Sequence, residues 1–155
     1  MNTPAEEFKR HWEFVHAMTL AFAAEVPDQR WDFSPHPRFA PFSKQLRHVV
    51  CVRGIYNDAL VSKHADFSRK HSHYSGGLTR DELVRALTNK HDELMAILGT
   101  IENDLVIEAF GKQFNFAEFG HVMVQHESIH QGQWSLYATL GGFETPLQWR
   151  LNWAL

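Results

Sequence analysis

Four stretches of the sequence repeat their apolar residues at alternating spacings of three and four, the pattern of a helix that buries one face. They cover residues 3–26, 43–63, 79–105 and 115–142. The second has the broadest apolar face, so we expect it to be the central helix. Four helices of this length in one chain predict an all-α four-helix bundle.

The predicted helix ends carry recognisable capping residues. Thr3 and Thr79 are each followed three residues later by glutamate, which is the capping-box pattern, and Pro4 stands at the first helical position of the first helix. At the other end of the fourth helix, Gly141–Gly142 can adopt the left-handed conformation that stops a helix. These residues locate two helix starts and one helix end more closely than the apolar pattern does.

The connections between these helices are long for a simple up-and-down bundle. Residues 26–41 contain four prolines, and residues 66–78 are polar and end near two glycines, so the second connection is predicted to be a flexible loop. Such lengths allow crossover loops between parallel neighbours. The tail, residues 146–155, repeats its apolar residues every second position, and a strand or a short helical extension both remain open.

Size and charge narrow the class of protein. The chain has 155 residues, 44% of them hydrophobic, which predicts one domain over residues 1–155. The formal net charge of −3 gives no support to a nucleic-acid partner. No early apolar run has the length of a signal peptide or membrane span, and the single cysteine, Cys51, cannot form an intramolecular disulfide. We therefore expect a cytoplasmic protein with no membrane partner.

The strongest chemical signal among the eleven histidines is a pair in the fourth helix. His126 and His130 belong to a seam with spacings of three and four, whose members are Phe116, Phe119, Met123, His126, His130, Gln133, Tyr137 and Leu140. Side chains four residues apart on a helix differ by about 40° in direction, so both imidazoles can address one point. Unpaired polar groups in such a seam cost about 1–3 kcal/mol each, whereas a bound metal satisfies both.

The second helix offers a third ligand, His48, which projects to the edge of its apolar face. Three histidines with one open position form a catalytic type of metal site, in contrast to a closed four-ligand structural site. The alternative is that these are core histidines bonded to backbone carbonyls. His16, His91 and His121 are predicted to be half-buried polar residues with no shared spacing.

The same segment matches H-E-x-x-H, the signature of zinc proteases in which glutamate is the general base. The longer form of that signature requires glycine and histidine where this chain has Gln133 and Leu136. No later residue supplies a third protease ligand on a following helix. A protease is therefore disfavoured, and Glu127 is better explained as a surface glutamate.

Taken together, His48 on helix two and the segment His126–Gln133, with its H-x-x-x-H-x-G-Q pattern, make the chain resemble the DinB-like family. The resemblance extends to the Pro27–Trp31 passage, Gly141–Gly142 and Pro146. It implies a four-helix bundle with up-down-down-up connectivity, a short C-terminal extension and assembly as a homodimer. It also implies a divalent metal, zinc or nickel, held by His48, His126 and His130, and some relatives use a low-molecular-weight thiol.

Such a cation can lower the pKa of water to about 7, or convert a coordinated thiol to its thiolate. Thiols of this group carry carboxylates, which Arg47, Arg53 or Lys44 could attract, but a solvated helix face is the better explanation of these cations. Gln133, one turn beyond His130, could orient a ligand or satisfy a buried backbone group. Cys51 is predicted to be a small core residue.

Two functional hypotheses follow from the sequence. The first is a metal-dependent enzyme, a thiol transferase or hydrolase, that activates a thiol or water against a small electrophilic substrate. The second is a non-catalytic dimeric binding or stress-response module, in which the histidine site is structural or empty. Metal content and turnover distinguish the two.

Overall fold

The computed structural model describes residues 3–102 and 104–154. This part of the chain forms five helices and one β-hairpin: α1 (Pro4–Glu25), α2 (Phe42–Ser62), α3 (Arg80–Leu98), β1 (Val106–Ala109), β2 (Lys112–Asn115), α4 (Phe116–Gly141) and α5 (Leu147–Trp153). Short 3-10 turns occupy Asp28–Arg30 and Phe67–His73. The predicted all-α bundle with long connections is confirmed.

Side-chain caps fix the starts of three helices. Thr3, Thr79 and Asn115 each accept a hydrogen bond from the backbone N–H three residues later, and the glutamate at that position bonds back to the cap. These are complete capping boxes, and a lost cap typically costs about 1 kcal/mol. At the C-terminal end of α4, Gly142 adopts φ 72°, as the sequence predicts.

The third helix ends earlier than its apolar pattern predicts. It stops at Leu98 because the Gly99 N–H turns back to the carbonyls of Ala96 and Ile97. Ile101 and Leu105 therefore lie outside the helix. The next residues form a hairpin that the sequence analysis did not predict, with β1 and β2 paired antiparallel and joined by a two-residue turn at 110–111.

Backbone hydrogen bonds attach this hairpin to the end of α2. Ala65 N–H donates to the Glu108 carbonyl, and Glu108 N–H donates to the Lys63 carbonyl, both at 2.9 Å. Ile107 and Ala109 are buried beneath it. Backbone hydrogen bonds of Glu108 therefore attach β1 to the segment that follows α2.

In the bundle, α1 and α2 each pack against both α3 and α4, so α1 and α2 lie at opposite corners. The connection that was predicted to be flexible contains the Phe67–His73 turn, which packs on α2. The C-terminal tail, which the sequence left open, is the helix α5. Its Trp149 is fully buried and donates its indole N–H to the Met18 carbonyl at 2.8 Å.

The core is divided into two apolar halves with a buried polar layer between them. One half includes Trp12, Val52, Tyr56, Leu94 and Phe119, and the other includes Phe22, Phe42, Leu46, Leu87 and Trp134. The side chains of the layer are buried and come from α1, α2 and α4: His16, Thr19, Arg53, Glu127 and Gln131. Within the described residues, no helix combines the length and apolar character needed to cross a membrane.

Candidate metal centre

Three histidine side chains meet where α2 faces α4. His48 Nε2 lies 3.2 Å from His126 Nε2, and His130 Nε2 lies 3.3 Å from the same atom. The ring centroids are 4.7 to 5.3 Å apart. Each ring turns the same nitrogen toward a common point, and the ligand atoms of all three lie within 4.8 Å of one another.

Hydrogen bonding alone does not satisfy this arrangement well. The His126 Nε2 atom has one in-plane position, filled by a lone pair or a proton, yet it faces two other ring nitrogens. A cation at the shared point would accept all three lone pairs. Nitrogen ligands at about 2.0–2.1 Å from a tetrahedral zinc ion stand about 3.3 Å apart, close to the observed separations. The donor set therefore fits a divalent metal.

Burial holds the two α4 rings, His126 and His130, in the neutral form that metal binding requires. It lowers the pKa of His126 to about 3, and the neighbouring His130 and His48 lower it further. The pKa of His130 is also lowered by burial, against smaller opposing effects of Gln133 and Glu127. At neutral pH both α4 rings keep a lone pair available.

Aromatic side chains hold the α4 rings on two sides. Tyr56 meets His126 edge-on at 5.9 Å, and Trp134 stacks over His130 at 6.3 Å between centroids. Gln133 lies next to His130, and its Oε1 and the Nδ1 of His130 are both buried. Neither atom has a hydrogen-bond partner of good geometry among the described residues.

A cleft of about 530 Å³ opens beside the histidines. Its walls are mostly apolar, and its lining includes two of the three rings: His48, Val52, Tyr56, Phe67, Phe110, Val122, Gln125, His126 and Ile129. The volume lies in the range of small-molecule sites. A ligand in this cleft would lie directly against the histidine cluster.

Two further sequence predictions concern the surroundings of His48. Arg47 lies near Tyr74, whose pKa is raised by burial and by Glu82 against a smaller opposing effect of Arg47, and it is not part of the lining of the cleft. Cys51 is buried, as predicted for a small core residue.

The interpretation of Glu127 as a surface residue is wrong. Its carboxylate is 1% exposed and forms a bidentate pair with the Arg53 guanidinium, in which Arg53 Nε lies 3.0 Å from Oε2 and Nη2 contacts Oε1. The simple explanation of Arg53 as a solvated cation is wrong for the same reason. Since Glu127 is held by Arg53 away from the cleft, it is not placed to serve as a protease general base.

The other members of the polar layer complete this pair. Thr19 Oγ1 donates to Glu127 at 2.5 Å, and Gln131 donates to Thr19 Oγ1 and to the Val15 carbonyl, both at 3.0 Å. Arg53 Nη1 also lies 2.9 Å from His16 Nδ1. A sequence signal for this side of α4 exists, because Glu127 and Gln131 share the spacing of the buried Trp134, Ala138 and Gly141.

Two predictions of burial on α4 differ from the structure. Leu140, predicted on the inward seam, is 64% exposed, and His121, predicted to be half-buried, is exposed. The seam turns outward toward the end of the helix because a straight helix drifts relative to a strict seven-residue repeat.

Comparison with known proteins places this architecture in a family. A search of curated proteins finds no match. A DinB-like protein from Bacillus subtilis, YjoA, superposes with a TM-score of 0.70 over 90% of this chain and 94% of its own, at 15% sequence identity, which supports the fold. The model of the DinB superfamily matches residues 11–134. The chain therefore belongs to the DinB superfamily.

Proposed function

We propose that this protein is a metal-dependent enzyme in which His48, His126 and His130 hold a divalent cation next to the apolar cleft. The observation that carries the proposal is the convergence of three Nε2 atoms, separated by 3.2 and 3.3 Å, on one point. Membership of the DinB superfamily agrees with this use of the site. The reaction is the attack of a thiol or water on a small electrophilic substrate.

A divalent cation at this position supplies Lewis acidity and lowers the pKa of a thiol or water. The chain itself supplies the rest of the site. Tyr56 and Trp134 fix the planes of His126 and His130, and burial keeps both rings unprotonated at neutral pH. The apolar walls of the cleft exclude water and position the substrate against His48 and His126.

Gln133 is proposed to orient His130 by accepting its Nδ1 proton. Groups behind metal-ligating histidines commonly fix the tautomer in this way. The two buried atoms are neighbours that lack another partner among the described residues, which supports the assignment. For Arg47 the prediction of a role in binding a thiol cofactor receives less support, because the cleft lining does not include it.

Zinc and nickel are the proposed metals. Three imidazole ligands suit both metals. Copper and iron also accept nitrogen donors, so the ligands alone favour this group of four metals and do not choose among them. A low-molecular-weight thiol is the proposed co-substrate for the transferase reaction, and water is the nucleophile for a hydrolase.

The second candidate is a non-catalytic binding module. One observation favours it: no carboxylate or lysine belongs to the described lining of the cleft, so an acid–base group beyond His48, His126 and Tyr56 is missing there. In this function the histidine cluster would hold a structural metal or none.

Metal content and turnover test the proposal together. The purified protein should contain close to one divalent metal per chain, and His48→Ala and His126→Ala should each abolish that content. His121→Ala, which changes an exposed histidine of α4, is the matched control and should leave metal content unchanged. Turnover of an electrophile with a thiol or water that disappears with the metal supports the enzyme.

Two results would contradict it. Protein that remains metal-free after incubation with zinc or nickel would exclude the metal site. Metal-loaded protein that shows no turnover with thiols or water across a panel of electrophiles would favour the binding module.

A further inference from the structure

Phe110 occupies a backbone position that does not suit phenylalanine. It has φ 53°, and the following Gly111 has φ 70°, so both residues of the hairpin turn are left-handed. This is the geometry of a type I′ turn, in which Asn, Asp and Gly are strongly preferred. A bulky residue at positive φ is an outlier that the surrounding structure must compensate.

Core packing does not explain this placement. The Phe110 side chain is 61% exposed, so it contributes little burial to the fold. Its ring instead stacks on Phe67, with centroids 4.8 Å apart and planes inclined by 21°. Phe67 in turn meets Tyr56 edge-on at 6.3 Å. The strained residue thus extends an aromatic wall at the surface.

That wall belongs to the cleft beside the histidines. Phe67, Phe110 and Tyr56 line it together with His48 and His126. Every other lining residue is aliphatic except Gln125, and none of the described lining residues is Asp, Glu, Lys or Arg. The cleft therefore offers apolar and aromatic contacts. Its described lining has no charged side chain to pair with a charged group of a ligand, and only a metal held by the histidines would supply a charge there.

Hydrogen bonds next to the turn hold it in this place. Backbone hydrogen bonds join Glu108 to Lys63 and Ala65 at the end of α2, and Ala109, next to the turn, is buried. The position of the Phe110 ring at the cleft therefore follows from how β1 is attached to the segment after α2.

We propose that Phe110 is a substrate-binding residue that determines specificity, and that the substrate presents an uncharged aromatic group to the wall formed by Phe110 and Phe67. The reacting part of that substrate then lies toward His48 and His126. This inference rests on the proposed function for the reacting end, while the aromatic binding can be tested without turnover. A substrate-binding role for the ring accounts for the unfavourable positive φ of Phe110.

The test uses N-phenyl-1-naphthylamine, an uncharged aromatic dye whose fluorescence increases in apolar surroundings. We expect one dye per chain and little change in affinity between low and high salt, because the contacts are apolar. Phe110→Asn should weaken binding about tenfold, since it removes a stacking surface and its buried area. Its melting temperature should be unchanged or higher, because Asn suits the turn.

Two variants serve as controls. Phe39→Asn removes an exposed ring outside the cleft and should leave dye affinity unchanged. Phe110→Tyr keeps the ring and should retain binding. Dye affinity that is the same in Phe110→Asn and in the wild type would overturn the proposal, as would the absence of dye binding. Metal content, measured on the same samples, tests the proposed metal site independently of dye binding.

Discussion

Arg53 makes contacts in the polar layer that reach three other helices. Its guanidinium pairs with Glu127 of α4, lies 2.9 Å from His16 Nδ1 of α1 and donates to the Leu87 carbonyl of α3 at 3.1 Å. It also lies 5.2 Å from the Trp12 ring centroid. One α2 side chain therefore fixes how the other three bundle helices meet at this level.

Removal of Arg53 should leave the Glu127 charge buried without a counter-ion. We expect Arg53→Met to lower the free energy of unfolding by about 3–5 kcal/mol, measured by urea denaturation. Lys63→Met breaks an exposed pair with Glu102 and should change it by less than about 1 kcal/mol. Equal small losses in both variants would contradict this role of the buried pair.

His16 should make stability depend on pH. Burial, then Arg53 and His91, lower its pKa to about 3, whereas the unfolded chain has a value near 6.5. As the pH falls, His16 therefore takes up its proton in the unfolded state before it does so in the folded state. The contribution of neutral His16 to the free energy of unfolding is complete above about pH 6.5 and declines as the pH falls toward 3.

The comparison variant for His16 is His16→Gln, measured in metal-free protein. Between pH 7 and pH 5 the wild type should lose about 2 kcal/mol more unfolding free energy than the variant. Both proteins keep His126, so its titration cancels in this difference. Identical pH profiles for the two proteins would show that His16 is not the source.

At the residue scale, the sequence anticipated the common direction of His126 and His130 but not the buried ion pair of Arg53 and Glu127. The spacing of His126 and His130 determines their common direction because helix geometry is local. The burial of Glu127 depends on Arg53 from another helix, and each charge viewed alone resembles a solvated residue. Burial of these two charged side chains is favourable only because they pair where α2 contacts α4.

At the scale of elements, Gly54 of α2 allows the Phe67–His73 turn to approach. A Cβ at Gly54 would lie 2.6 Å from the side chain of His73. We expect Gly54→Ala to lower the free energy of unfolding by about 1–3 kcal/mol. Gly132→Ala, where a Cβ would meet nothing within 4 Å, should raise it by up to about 1 kcal/mol. A stabilised Gly54→Ala protein would show that this contact is not needed.

The elements differed in how well the sequence specified them. Capping boxes at Thr3 and Thr79 located two helix starts because each cap is a local hydrogen-bond pattern. The hairpin has four-residue strands and lacks the Asn-Gly turn that identifies hairpins, so its signal was weak. Alternating burial at Leu105, Ile107 and Ala109 is the pattern that could have indicated it.

At the scale of the whole molecule, we propose that two chains associate through α4. Its outer face carries two exposed aliphatic residues, Leu136 and Leu140, each more than half exposed and neither in the lining of the cleft. Leu136→Glu should convert the dimer to a monomer in sedimentation experiments, while Val61→Glu, an exposed residue of α2, should leave it dimeric. A wild-type protein that sediments as a monomer at all concentrations would contradict the proposal.

The bundle as a whole brings the three histidines of the candidate metal centre together from two helices that are far apart in the sequence. The sequence predicted His48 from its place on the α2 face, but the distance between α2 and α4 depends on packing by both core halves. The cleft could not be predicted, since the hairpin and the Phe67–His73 turn build part of its wall.

The most direct test of the metal centre is an anomalous difference map, measured at the zinc absorption edge, from crystals of the protein grown with zinc. We predict a peak about 2.0–2.1 Å from the Nε2 atoms of His48, His126 and His130. The same crystals of His126→Ala should lack that peak. Wild-type crystals in which zinc binds elsewhere, or whose three imidazoles have no peak between them, would contradict the account.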